Sequence, residues 1–196
     1  MPLHLVSGRS ASLPPGRNIR APARKGGGAD APPNVDAEGF FEGYASLFGV
    51  ADLGRDVVMP GAFRSTLSRR SASDIKLLWQ HDPGQPLGEW LEIAEDRRGL
   101  FVVGKLDLAL PKARELHRLV TRGTIDGLSI GYRTEGEKRD AATGLRRIEK
   151  LELWEISIVT FPLLPQARIA PRSTVRGMKD GRALASAPFP RRTAPY

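Results

Sequence analysis

The sequence predicts an α+β domain dominated by strands: a small closed or partly open β-barrel with a few flanking helices. Three observations point there. Segments rich in aromatic and β-branched residues recur along the chain, separated by Gly, Pro and charged turn clusters. Only two stretches read as helix, so the strand–helix alternation of a parallel sheet is missing. The third is composition: 40% hydrophobic and 27% charged residues in a chain of 196 give one domain of ordinary size with enough apolar material for a core.

The elements follow in order. Residues 39–49 (GFFEGYASLFG) mix aromatics with small residues and read as a strand, and 55–59 (RDVVM) as a short apolar one. Pro60 stands where helices start, so PGAFRSTLSRR is expected to form one short helix. Residues 75–80 (IKLLWQ) form a strand running into His81, and the HDPGQP that begins there is a turn cluster. Segments 87–94 and 99–108 alternate in part, with EDRRG as a hairpin loop between them. Residues 110–122 are the clearest helix. Pro111 fits its first position, Leu110, Ala113, Leu116, Leu119 and Val120 share one face, and Gly123 caps its end. Residues 125–133 begin another strand. Residues 146–160 are long and β-branched, with Pro162 as the stop.

The net charge of +8 invites a nucleic-acid reading, but its distribution does not support one. Residues 1–35 hold five Arg/Lys and one acid, and residues 166–196 hold seven and one. The 18 basic and 20 acidic residues between them leave the body at −2. Both flanks are rich in Pro, Gly and Ala without periodicity, so 1–35 and 171–196 are expected to be flexible basic tails around a domain at 36–170. No strand interleaves aromatic with basic residues, so no specific nucleic-acid partner is expected. No apolar run approaches the roughly 18–20 residues of a membrane span, and the first residues lack the pattern of a secretory signal. The absence of cysteine excludes disulfides, thiolate metal sites and cysteine nucleophiles.

Three histidines, His4, His81 and His117, limit any mechanism that needs one. Gly127-Leu128-Ser129-Ile130-Gly131 matches G-x-S-x-G, the nucleophile elbow of α/β-hydrolases, although a Gly-rich strand with a bulge has the same look. The hydrolase version fails because its triad runs Ser, acid, His, and no histidine follows Ser129. A base for Ser129 must come from upstream. His4 lies in the tail, and His117 sits at the edge of the helix stripe, a structural position. His81 ends a strand and enters a turn, where scaffolds present chemistry. A histidine base needs a third group to fix its tautomer. Asp82, Asp126, Glu152 and Glu155 are the candidates. Glu155 lies in the most hydrophobic stretch of the chain, where an unpaired carboxylate would cost several kcal/mol, so it is preferred. A metal pair of His81 and Asp82 is disfavoured, since strand neighbours point to opposite faces and no second usable histidine exists. No metal or cofactor is expected.

Several blocks together resemble the tailed-phage prohead protease family, whose fold is related to that of herpesvirus capsid assembly proteases. They are Gly43-Tyr44-Ala45, the run Val58 to Phe63, Leu78-Trp79-Gln80-His81-Asp82-Pro83 with Pro86-Leu87-Gly88, Gly127 to Tyr132, and Leu153 to Pro162. They keep the family's order over about residues 38–170. The resemblance implies a serine endopeptidase that matures capsids, with a triad of His81, Ser129 and Glu155. Herpesvirus relatives have a histidine as third member, and Glu155 looks like the phage-type substitute. Those relatives carry an arginine pair soon after it, linked to the oxyanion hole. Here Leu163-Leu164-Pro165-Gln166 stands there, then Arg168, which leaves the oxyanion donors open. The implied partners are the major capsid protein and its scaffold segment, the portal, and further copies of the chain. The implied place is inside the assembling prohead, in the host bacterial cytoplasm, with no membrane partner and with self-cleavage. The alternative is a catalytically inactive internal scaffold of the same fold.

Overall fold

The structure, a computed structural model, describes residues 35–170. The expectation of flexible tails falls on residues outside that range, except for Val35, which is buried and bridges Phe41. The strands are β1 (Phe40–Leu47), β2 (Asp56–Val58), β3 (Lys76–Trp79), β4 (Asp82–Glu95), β5 (Gly99–Leu106), β6 (Gly127–Arg139), β7 (Arg146–Val159) and β8 (Arg168–Ile169). The helices are α1 (Arg64–Leu67) and α2 (Pro111–Thr121).

Strands β7-β3-β4-β5-β1-β8-β6 neighbour one another in that order, and β6 pairs back with β7. The ring is closed, so no edge is left among them to template aggregation. β2 lies outside the ring, parallel to the first residues of β7. β3 is parallel to the last residues of β7, and the remaining ring pairings are antiparallel. The strand-dominated barrel with few helices is therefore the observed fold.

The core fills the barrel and the space beneath α2. Phe41 and Trp90 meet edge to face at 5.5 Å, and Leu116, Leu128 and Ile156 are fully buried. Pro111 opens α2 without losing a useful N–H. Ala113, Leu116 and Val120 face inward. Gly123 leaves the helix at φ +65°, the left-handed conformation that glycine adopts without strain, and donates its N–H to the Val120 carbonyl.

Four elements differ from expectation, each for a local reason. The HDPGQP cluster is no turn: β4 begins at Asp82, already paired with Trp79, and absorbs both prolines through register shifts against β3. The turn shrinks to Gln80-His81. The helix after Pro60 is one turn at Arg64–Leu67, because Pro60 to Phe63 wind as hydrogen-bonded turns with Gly61 at φ +90°. β6 continues to Arg139 as one arm of a hairpin with β7, and its polar residues there pair in ions such as Lys138–Glu149. β8 has no hydrophobic signature at all. It exists because Arg168 and Ile169 bridge β1 and Gly127 of β6.

The β6–β7 ladder sets the faces. Gly131 pairs with Glu155 and Tyr132 with Leu153, so Trp154 is an extra residue, a bulge. The bulge reverses the parity of β7. Leu151 and Leu153 face the core before it, and Ile156 and Ile158 face the core after it. The imperfect alternation of LELWEISIV is this bulge seen in sequence.

Candidate active site

Beyond the bulge, the residues of β7 that do not face the core are Glu155 and Ser157. Ser129 is the direct cross-strand partner of Ser157, and Gly131 that of Glu155. Directly opposed residues of an antiparallel ladder project on the same side. Ser129, Ser157 and Glu155 therefore occupy one outer face of the barrel, with Leu128, Ile156 and Ile158 beneath them in the core.

His81 arrives from the other flank. β3 pairs Leu78 with Ser157 and Trp79 with Ile158, then the chain turns at once through Gln80-His81 into β4. Gln80 and His81 have φ of +54° and +61°. Two consecutive left-handed residues between paired strands are the pattern of a type I′ hairpin, where Asn-Gly is the usual occupant. A left-handed residue with a side chain costs about 1–2 kcal/mol. Such strain persists only where surrounding contacts fix the conformation, and those contacts are present. The Gln80 N–H donates to the Ile158 carbonyl at 3.1 Å, and its side-chain amide donates to Thr160 Oγ1 at 2.8 Å. The His81 N–H donates to Ser157 Oγ at 3.1 Å.

The turn sets the His81 ring against Glu155, with Nδ1 2.6 Å from Oε1. A carboxylate only accepts, so Nδ1 carries the proton and Nε2 is the nitrogen left to act as base. The second carboxylate oxygen, Oε2, accepts the Ser157 hydroxyl at 2.6 Å. The Glu155 side chain is 13% exposed and that of His81 38%, so the acid is sheltered while the imidazole reaches solvent.

Two serines lie on this face, and their hydrogen bonds separate them. Ser157 is fully buried, and its hydroxyl both donates and accepts. Ser129 makes no side-chain hydrogen bond among the described residues, and no buried side-chain oxygen there lacks a partner. Its hydroxyl therefore reaches the surface, unengaged. Of the two hydroxyls, that of Ser129 is open and that of Ser157 is fully committed.

Gly131 and Gly127, the frame of the G-x-S-x-G match, do different jobs. A Cβ at Gly131 would overlap the Glu155 carboxylate, so this glycine is the seat of the acid. A Cβ at Gly127 would meet the Val159 carbonyl at 2.6 Å and the Pro162 ring at 2.9 Å, which is a demand of backbone packing. Neither glycine forms the elbow of a strand–turn–helix nucleophile, since both lie within β6.

The other candidate acids are engaged elsewhere. Asp82 accepts from the Gly84 N–H and the Gln85 amide. Asp126 holds Arg168, whose Nε also donates to the Pro165 carbonyl. Glu152 takes Arg70 at 2.7 Å and Arg133 at 2.8 Å. His117 Nε2 lies 2.6 Å from the Asp36 carbonyl and ties α2 to the segment before β1. His4 lies outside the described residues. Sequence reasoning assigns no role to Ser157 or Gln80, and it reads Gly131 only as part of the G-x-S-x-G match. The spacing of Glu155 and Ser157, two apart on a strand, is the one signal that places a hydroxyl beside the acid. Among the described residues no group of three or more His, Asp or Glu is placed to hold a metal ion, and no helix is long and apolar enough to cross a membrane.

The histidine–glutamate pair thus lies on the outer face of a closed, mostly antiparallel barrel. The fold is similar to that of the bacteriophage T4 capsid assembly protease, which matches with a TM-score of 0.52 and 12% identity, covering 61% of this chain and 80% of that one. The chain belongs to the caudovirus prohead serine protease family, whose model matches residues 30–180. It is 33% identical over 144 residues to the prohead protease of Enterobacteria phage HK97 and 27% identical over 136 residues to that of Escherichia phage T5. Those matches cover 72% and 66% of this chain, and 64% and 63% of the two relatives' own lengths. The herpesvirus protease of KSHV, in complex with a hexapeptide phosphonate inhibitor, aligns at a TM-score of 0.45 with 12% identity, covering 66% of this chain and 63% of that one.

Proposed function

We propose that the chain is a serine endopeptidase of capsid maturation, with Ser129 as nucleophile, His81 as base and Glu155 as the acid that orients it. The observation that carries this reading is the 2.6 Å contact of His81 Nδ1 with Glu155 on the face where Ser129 presents an unengaged hydroxyl. A serine hydroxyl is a weak nucleophile at neutral pH and must lose its proton as it attacks. In this reading His81 Nε2 takes that proton, the carbonyl becomes a tetrahedral oxyanion, and the imidazolium returns the proton to the leaving amine. Glu155 stabilises the imidazolium that forms between those steps. Water then repeats the sequence on the acyl-enzyme.

Family membership directs the substrate class. The substrates are the major capsid protein with its scaffold segment, inside the assembling prohead in the host bacterial cytoplasm, and the chain also cuts itself. Its partners there are the portal and further copies of the chain. The test is to incubate the full chain with the capsid protein of its own particle and map new termini by mass spectrometry, with Ser129→Ala alongside. Discrete new termini with the wild type and none with Ser129→Ala are expected. Assembly that proceeds with no cleavage would make the chain an inactive internal scaffold of the same fold. Unchanged cleavage by a folded Ser129→Ala protein would remove Ser129 from the mechanism.

A further inference from the structure

The hydrogen bonds around Glu155 close into a ring. The His81 backbone N–H donates to Ser157 Oγ at 3.1 Å, and the Ser157 hydroxyl donates to Glu155 Oε2 at 2.6 Å. Glu155 Oε1 accepts the His81 ring proton at 2.6 Å. His81 thus reports to Glu155 twice, once through its ring and once through its main chain by way of Ser157. The hydroxyl has one proton to give and gives it to the carboxylate, while its lone pair receives the amide. Nothing about the fold demands a hydroxyl at this place. Ser157 pairs with Leu78 on one side and Ser129 on the other through backbone register, which any strand residue would supply.

Two costs on this face need an explanation. His81 is held left-handed at φ +61°, and Glu155 is sheltered at 13% exposure. Each is stable only if something fixes it. Ser157 touches both. We propose that Ser157 is a positioning residue: its hydroxyl locks the left-handed backbone of His81 and the rotamer of Glu155 into one unit, so that Nε2 is aimed the same way in every molecule. Ser157 is fully buried, and its hydroxyl is spent on the His81 N–H and the Glu155 carboxylate. Its effect passes through His81 and Glu155, and the inference rests on their proposed roles.

The ring makes three demands on experiment. Ser157→Ala should lower kcat about 10–100-fold, the size expected of a misplacement near 1 Å, with KM within about two-fold. Ser157→Thr, which keeps the hydroxyl, should recover to within about five-fold of wild type. Ser157→Cys keeps most of the volume but little hydrogen-bonding capacity, so it should behave like the alanine variant and serves where alanine fails to fold. The readout that packing alone would not move is the His81 Nδ1 proton, which resonates far downfield in the NMR spectrum while it is held on a carboxylate. In a Ser129→Ala background that resonance should be present, should vanish with Glu155→Gln, and should be lost or broadened with Ser157→Ala or Ser157→Cys but kept with Ser157→Thr. Wild-type kcat in Ser157→Ala, or an unchanged downfield proton in the alanine and cysteine variants, overturns the proposal. Cleavage by Ser129→Ala would sink the catalytic reading instead, and the proton measurement, which needs no turnover, would still decide the ring.

Discussion

Strand β7 carries a buried carboxylate cluster at each end, and the two differ in what they leave unused. Near its start, Asp56 of β2 accepts Arg146 through both oxygens and the Tyr132 hydroxyl at 2.9 Å. Burial and the Asp56 charge push the Tyr132 hydroxyl well above the ordinary tyrosine range, and the hydrogen bond to Asp56 raises the Arg146 guanidinium further still. Asp56, Tyr132 and Arg146 are tied to one another, and Arg146 also reaches Glu137 at 3.1 Å. Near the end of β7, Glu155 is equally satisfied, by His81 and Ser157, yet Nε2 and the hydroxyl of Ser129, the cross-strand partner of Ser157, make no hydrogen bond among the described residues. The first cluster pins β2 and β6 to β7. The second holds the His81 ring on Glu155 and leaves Nε2 open. A closed network reads as structure, and a network with one open end reads as chemistry.

The contrast breaks most sharply when each carboxylate is neutralised. Glu155→Gln should cut turnover by about 10³–10⁴, because an amide neither fixes the Nδ1–H tautomer nor stabilises an imidazolium. Its melting temperature should stay within a few degrees of wild type. Asp56→Asn should do the reverse. It strips a half-buried guanidinium of its bidentate partner and leaves it only Glu137 at 3.1 Å, at a cost of about 1–3 kcal/mol, less than a fully buried pair because Arg146 is partly solvated. Turnover per folded molecule should change less than about two-fold. Thermal melting and kcat measured on both variants decide it, and parallel losses in both quantities would mean that the two clusters are not functionally distinct.

A second, smaller break separates the two glycines around Ser129. In Gly131→Ala the new methyl meets the Glu155 side chain from Cγ to Oε1, and the carboxylate must swing aside. Stability should fall by less than about 1.5 kcal/mol, while kcat drops at least about 10-fold because the acid leaves His81. In Gly127→Ala the methyl meets the Val159 backbone and the Pro162 ring, which have nowhere to go. Here the loss should be in stability, about 1–3 kcal/mol. Circular-dichroism melts and peptide cleavage by the same preparations read both. An active Gly131→Ala enzyme would show that Glu155 keeps its place without the seat.

The sequence makes the barrel and the acid legible for one reason, the cost of burying charge. Glu155 stands out because it lies among Leu153, Trp154, Ile156 and Ile158, where only a pairing partner makes a carboxylate tolerable. His81 stands out by elimination among three histidines. The rest depends on register, which a single sequence does not encode. That Ser129 opposes Ser157, and Gly131 opposes Glu155, follows from a bulge at Trp154, a residue with no turn signal. The Gln80-His81 hairpin is invisible for the opposite reason. Local rules ask for Asn-Gly in such a turn, and this chain holds two large side chains left-handed, so the nearby Pro83-Gly84 reads as the turn in its place. Local rules fail at the turn that presents the histidine, where a fixed side chain outweighs backbone ease. β8 is unreadable because two residues suffice when neighbours are already in place.

The smallest test of the comparison lies at the edge of the structural cluster. Asp52 is half-buried and accepts the Asp56 N–H at 2.9 Å. Burial, with help from the nearby Asp56 charge, holds its carboxyl above the ordinary aspartate value, although backbone hydrogen bonds oppose the shift. An acid whose folded pKa is raised is easier to keep protonated in the folded state than in the unfolded one. Between its unfolded and folded pKa values the folded state therefore holds more protons, and stability falls as pH rises through that window. Above the window the penalty is complete, and below it the penalty is absent. Asp52→Asn removes the charge while its amide oxygen still accepts the Asp56 N–H. The variant should match wild type or lie slightly below it near pH 3, where Asp52 is protonated in both states. It should melt higher by about 1–3 °C near pH 7, a shift kept small by solvent access to the group. The difference between the two melting curves isolates this one group, because the other carboxylates titrate in both proteins. A difference that is flat with pH, or larger at pH 3 than at pH 7, would show that Asp52 is held by its hydrogen bonds more strongly than it is penalised by burial.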